Sequence, residues 1–302
     1  MTTLLEPTSD APERAVPPRS LAAWWAAPPL LIVLLVAAYP LVCVCLESVK
    51  GEGTQSSWTS VLSSESFRGA LWRTVAIAST STLGCLVLGT FLAIVLAFVP
   101  FPGSVVVGRL IDTVLALPSF LITLAFTFLY GTAGAVNAAI AGLVGNEAPA
   151  LDFLNTPVGV IAAEVTFFTP FVIRPLLASF SVLPRAQLDV AASLGASPFR
   201  VLRSVVMPEA WPALMAGGSL VLLLTLNEFG IVLFTGAKGV TTLPVLIYTR
   251  GIVTFDLPGA AVIATVQIAL SLVLYTAYRL VFARVTTRRG RADTDVVVDQ
   301  AK

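Results

Sequence analysis

The chain has 302 residues, of which 57% are apolar and only 12% charged, and it contains no histidine. A soluble domain of this length carries roughly 25% charged residues, so with a mean hydropathy of +0.91 the chain reads as a membrane protein. The near balance of 18 basic and 17 acidic residues supplies no single-sign field for nucleic acid, and the lack of imidazole excludes histidine-based metal ligation and the usual catalytic triads.

The leader, residues 1–20, sets Pro7, Pro12, Pro17 and Pro18 among mixed charges and is expected to be disordered. Crossing a hydrocarbon core of roughly 30 Å takes about 20 apolar residues. Six stretches qualify: 24–46, 74–99, 110–130, 157–181, 213–235 and 260–282. The first reads as an uncleaved span, because its leader is partly acidic and its apolar stretch exceeds that of a secretory signal. The run 135–144 is about half the necessary length and is expected to be re-entrant or interfacial. Cys43, Cys45 and Cys85 all fall in apolar runs and read as small buried thiols.

Basic residues fix the expected orientation. One side of a six-span chain collects Arg14, Arg19, Arg109, Arg185, Arg200, Arg203, Arg284, Arg288, Arg289, Arg291 and Lys302, whereas the other holds Lys50, Arg68, Arg73, Lys238 and Arg250. Both termini are therefore expected to be cytoplasmic. The implied organisation is a cytoplasmic leader (1–20), an all-α transmembrane domain of six helices (21–285) and a cytoplasmic tail (286–302). Loops 47–73, 131–156 and 236–259 then lie outside, and 182–212 lies inside.

That inner loop has a design of its own. Ala186 to Leu194 is a helix-forming run with apolar Leu188, Ala191 and Ala192, and Gly195 follows where a left-handed residue ends a helix. Ser197 and Pro198 start a second helix carrying Phe199, Val201, Leu202, Val205 and Val206, which Pro208 is expected to end. The pattern fits a hairpin lying on the membrane surface, and it also fits a rigid knob offered to a cytoplasmic partner.

These residues resemble a family. Asp189, Val190, Ala191, Gly195, Val205, Met207 and Pro208 occupy the spacing Glu-Ala-Ala, three residues, Gly, nine residues, Ile, one residue, Leu-Pro, which is shared by the inner-membrane permeases of binding-protein-dependent ABC importers. The resemblance implies a type I ABC importer permease fold in a bacterial plasma membrane and a coupling helix seated in an ATPase subunit, with Asp189, Arg200 and Arg203 touching it. It also implies a second permease, identical or paralogous, and an external solute-binding protein. Glu164 to Phe180 and Ala216 to Tyr248, with Asn227, Glu228, Phe229 and Gly230 and then Gly236 to Gly239, are similar to 2-aminoethylphosphonate permeases. That group sits within a larger one that includes iron(III), thiamine, sulfate and polyamine permeases.

No Gly-x-x-x-x-Gly-Lys-Ser/Thr phosphate loop occurs in the sequence. ATP and magnesium are thus expected on a partner ATPase dimer, with no catalytic residue, metal ligand or cofactor in this chain. Ionisable groups inside spans cost roughly 2.5 to 3.5 kcal/mol on insertion scales and are functional candidates by default. At 1.5 Å per residue, Glu164 and Glu228 both lie about 10 Å from the outer face. With Thr166, Thr225 and Asn227 they are expected to form a polar patch on the translocation path, suited to a solute amine. Tying helices together is the competing role for the two carboxylates. Arg174 is expected to snorkel to lipid headgroups, and Gln267 either lines the path or bonds a neighbouring helix. An ion-coupled secondary transporter working alone would show inverted repeats, and no such self-similarity is visible.

Overall fold

The computed structural model describes the backbone of residues 19–50, 57–145 and 151–300, and within these the side chains from Trp25 to Phe282. Among the described residues every regular element is a helix. The chain divides into two compact units, residues 1–46 and 47–302. The first unit is helix α1 (Arg19–Val49) up to Leu46, a run apolar on every side that carries Pro28, Pro29 and Pro40, as a membrane span does. The expected disorder of 1–20 lies almost wholly outside the described residues, and the helix already begins at Arg19.

The second unit opens with α2 (Ser57–Ser63) and α3 (Glu65–Phe98). Span two thus starts nine residues earlier than 74, because Ser64 caps it: the Phe67 N–H donates to Ser64 Oγ at 3.3 Å and Glu65 lies in the positive first turn. The single span expected over 110–130 is two helices, α4 (Ser104–Leu115) and α5 (Ser119–Tyr130). Pro118 has no N–H to continue the ladder and disfavours helical geometry just before it. A turn at Gly131 to Gly134 leads into α6 (Ala135–Val144), the short apolar run. Asn137 pins it, donating to the carbonyls of Gly131 and Leu151 at 2.9 and 2.8 Å.

Span four is α7 (Pro157–Phe168) and α8 (Pro170–Ser181), joined through Thr169, which keeps helical angles. Then come α9 (Arg185–Ser193) and α10 (Pro198–Val201). Pro208 does not end the next segment, as the sequence reading expects. A π turn at Leu202–Val206 leads without a break into α11 (Met207–Leu226), with the Met207 N–H reaching back five residues to the Leu202 carbonyl. The wider turn absorbs the missing N–H and ring bulk of Pro208. Span five then stops at Leu226, short of 235. Asn227 to Phe229 break the helix before α12 (Gly230–Thr235), and α13 (Leu243–Tyr248) and a π turn (Thr249–Val253) fill the expected outer loop. Last, α14 (Leu257–Gln300) carries span six, and its backbone stays helical beyond Phe282.

The core of this unit is the meeting of α3, α8 and α11, with α7 against α3. Val172, Ile173, Leu176, Val221, Cys85 and Ala93 are buried there. Glycine sets the spacing. A Cβ on Gly84 would fall 2.6 Å from a Val165 methyl, and one on Gly89 would fall 2.8 Å from Val172 Cβ, so the backbones approach as small residues allow. Of the three cysteines expected to be buried only Cys85 is, while Cys43 and Cys45 are exposed on α1. Arg174 does not snorkel: it pairs with Asp112 and donates to the Gly108 carbonyl at 3.1 Å, tying α8 to α4.

Candidate functional site

Two places carry the candidate residues. The first is the α9 to α10 segment. Gly195 has φ +77°, and around it the Gly195 N–H donates to the Ala192 carbonyl at 2.9 Å and the Ala196 N–H to the Ala191 carbonyl at 3.1 Å. This is the Schellman arrangement, and it turns the chain sharply into α10. Ser197 has the extended backbone of an N-cap but makes no side-chain cap bond. Leu188, Leu202 and Val206 face inward and pack on the core. Val190 and Leu194 are 59% and 82% exposed, and Phe199, 71% exposed, stands at the edge of a groove that Leu188, Leu202 and Val206 also line, beside exposed Asp189, Arg200 and Arg203.

Exposed apolar side chains with charges beside them thus flank the turn at Gly195. Such a surface fits burial against another protein. Of the other motif positions, Ala191, Val205 and Met207 are half-buried and Pro208 is exposed. The sequence reading put Phe199 on the second helix's apolar surface but did not single out Leu194. Its place just before a helix-ending glycine, where the turn throws the side chain outward, is the signal that could have found it.

The second place is the break after α11. Glu228 is half-buried, and its Oε1 accepts the Ile231 N–H at 2.8 Å and the Ser119 hydroxyl at 3.1 Å. Gln267 donates to the Leu226 carbonyl at 2.7 Å and to Asn227 Oδ1 at 3.4 Å, so it bonds a neighbouring helix and holds the broken end of α11. Asn227 is exposed and donates to the Leu223 carbonyl at 2.8 Å.

The five polar residues do not make one open patch within this chain. Thr225 is buried, its hydroxyl 3.3 Å from that of Thr82 on α3, and Thr166 is exposed and bonded to its own helix at Ala162. Glu164 is fully buried, and neither carboxylate oxygen meets a well-placed hydrogen-bond partner. The Ser81 hydroxyl is likewise buried without a hydrogen-bond partner. Sequence reasoning missed Ser119, although its position directly after Pro118 marks it as the first residue of a restarted helix.

Residues 86–287 match the family described as binding-protein-dependent transport system inner membrane component. The chain belongs to that family. Among its relatives, PhnU of Salmonella typhimurium, named as a 2-aminoethylphosphonate transport system permease, is 51% identical over 243 residues, 80% of this chain and 85% of PhnU. The sulfate transport system permease CysT of the same organism is 31% identical over 62% of this chain and 66% of its own length. In fold, the permease resembles a chain of a bacterial ABC transporter that imports alginate, with a TM-score of 0.76 at 16% identity over 89% of this chain and 97% of that one. The chain is thus a multi-pass inner-membrane permease subunit of an ABC importer and is not itself the ATPase. It works with ATPase and binding-protein partners.

Proposed function

We propose that this permease forms one half of a translocation path for 2-aminoethylphosphonate. The observation that carries the solute is the 51% identity to PhnU over 80% of the chain. Iron(III), thiamine and polyamine fit less well, and an ion-coupled secondary transporter is not favoured by the family. A second permease, identical or paralogous, completes the path, and an external binding protein delivers the solute. Both termini lie in the cytoplasm, with residues 1–20 and 286–302 as leader and tail around the membrane domain 21–285.

The α9 to α10 knob docks one subunit of the ATPase dimer. Leu194, Val190 and Phe199 supply the buried contact, Asp189, Arg200 and Arg203 the charged edge, and ATP and magnesium stay on the ATPase. The half-buried Glu228, with Asn227 exposed beside it, offers negative charge to the solute's amine.

The test is uptake by cells that carry the complete transporter and no other phosphonate importer. Labelled 2-aminoethylphosphonate should enter in an ATP-dependent manner, with ethylphosphonate competing weakly and sulfate not at all. Uptake blocked by sulfate, thiamine or a polyamine but not by 2-aminoethylphosphonate would overturn the assignment.

A further inference from the structure

Arg279 stands at the far end of span six, in a setting used by neither the docking knob nor the polar break. Twenty-two residues separate it from Leu257, the start of α14, about 33 Å at 1.5 Å per residue. That matches a hydrocarbon core of roughly 30 Å, so Arg279 sits at the membrane boundary.

There α11 and α14 flank an open cavity of about 430 Å³. Met215 and Ser219 line it from α11, and Tyr275, Tyr278, Arg279 and Phe282 line it from α14. Tyr278 fills a notch over Gly218 that leaves no room for a Cβ, and it stacks on Phe282 with ring centroids 4.6 Å apart. Arg279 donates to the Tyr275 hydroxyl at 3.2 Å, and its guanidinium lies 5.8 Å from that ring's centre. Among the described residues, no carboxylate pairs with it.

An exposed guanidinium with no carboxylate partner among the described residues, oriented by a phenol at the rim of a half-polar cavity, calls for an anion that also has an apolar part. A guanidinium fork matches phosphate oxygens, and the apolar walls suit acyl chains. The sequence continues with Arg284, Arg288, Arg289 and Arg291, and a basic run directly beyond a span is the pattern that attracts anionic lipid. We propose that the α11 to α14 cavity binds the phosphate headgroup of an anionic phospholipid, with Arg279 as its principal contact. In the orientation proposed above, that lipid belongs to the cytoplasmic leaflet.

Purified, delipidated importer carrying its ATPase, wild type or R279Q, would be titrated with phosphatidylglycerol, phosphatidylcholine and inorganic phosphate. Binding would be read by native mass spectrometry and thermal melting. Phosphatidylglycerol should bind and raise the melting temperature of the wild type, and R279Q should bind it at least about fivefold more weakly. Phosphatidylcholine and millimolar phosphate should do little. Equal phosphatidylglycerol binding by R279Q, or an equal response to phosphatidylcholine, overturns the proposal. An equal response to inorganic phosphate reassigns the cavity to a free anion and overturns the lipid reading. Should R279Q fail to assemble, Y275F keeps the charge and frees the guanidinium. It should show a smaller loss in the same direction, and unchanged binding there overturns the proposal as well.

Discussion

Glu228 and Ser119 join two broken helices at one point. The Ser119 hydroxyl, on the first residue of α5, donates to the same Glu228 oxygen that accepts the Ile231 N–H of α12. The carboxylate is therefore both a helix cap and a bridge between the half-helices of spans three and five. Broken helices of this kind gather at transport sites, because their freed backbone groups line a cavity.

Substitutions at Glu228 separate the cap from the charge. Glu228→Gln retains an oxygen for both donors, so thermal stability of the purified complex should change by less than about 1 kcal/mol. The same change removes the charge offered to the amine. Uptake of 2-aminoethylphosphonate should fall roughly tenfold or more, as a lost charge-assisted hydrogen bond implies, and uptake of ethylphosphonate should not. Glu228→Leu leaves both donors orphaned and should cost about 2 kcal/mol of stability. Equal loss for both solutes in Glu228→Gln would assign the residue to helix bridging alone.

Packing of α3 onto α8 rests on Gly89. A larger side chain there meets Val172 Cβ at 2.8 Å and the Thr169 carbonyl at 3.3 Å, neither of which can rotate away. Gly89→Leu should lower stability by about 2 kcal/mol or more and reduce the amount of folded permease recovered in detergent. Gly108→Ala, at a position with nothing within 4 Å of a Cβ, is the control and should be recovered normally. Normal recovery of Gly89→Leu would remove this helix contact from the account.

Hydrophobic run length made five of the six spans legible, but it did not reveal their breaks. A window of apolar residues looks the same whether Pro118 interrupts it or Pro208 is absorbed by a π turn, since the outcome depends on what the neighbouring helices can satisfy. The expected span three therefore runs across the break at Pro118, and the expected span five runs through Asn227 to Phe229. The knob was legible because its cues are local: Gly195 needs its left-handed angle, and Pro198 starts a helix. The polar residues of the spans were found as residues but not as partners. The link from Ser119 to Glu228 crosses 109 positions, and no spacing rule reaches that far.

Gly195 tests the knob directly. Its φ of +77° disfavours any side chain, although a Cβ would meet nothing within 4 Å, so substitution strains the turn without a clash. Gly195→Asp should cost about 1 kcal/mol locally and change the angle at which α9 turns into α10. Membrane insertion should be normal, while ATPase co-purification and solute uptake should both fall severalfold. Unimpaired uptake with full ATPase recovery would sink the docking assignment.

The orientation that places this knob in the cytoplasm rests on the distribution of arginine and lysine, and single cysteines test it. Cys43, Cys45 and Cys85 are first replaced, since two of them are exposed and would react themselves. Ser197→Cys and Lys238→Cys then put one thiol on each expected side, both at exposed positions and neither on a buried helix face. In intact spheroplasts an impermeant maleimide should label Lys238→Cys and spare Ser197→Cys, and after permeabilisation both should react. The side of the arginine-rich end of α14 follows from the same experiment, because α11 spans the membrane between the two thiols. Labelling of Ser197→Cys from outside would invert the whole topology, moving the knob away from any cytoplasmic ATPase and the Arg279 cavity to the outer leaflet.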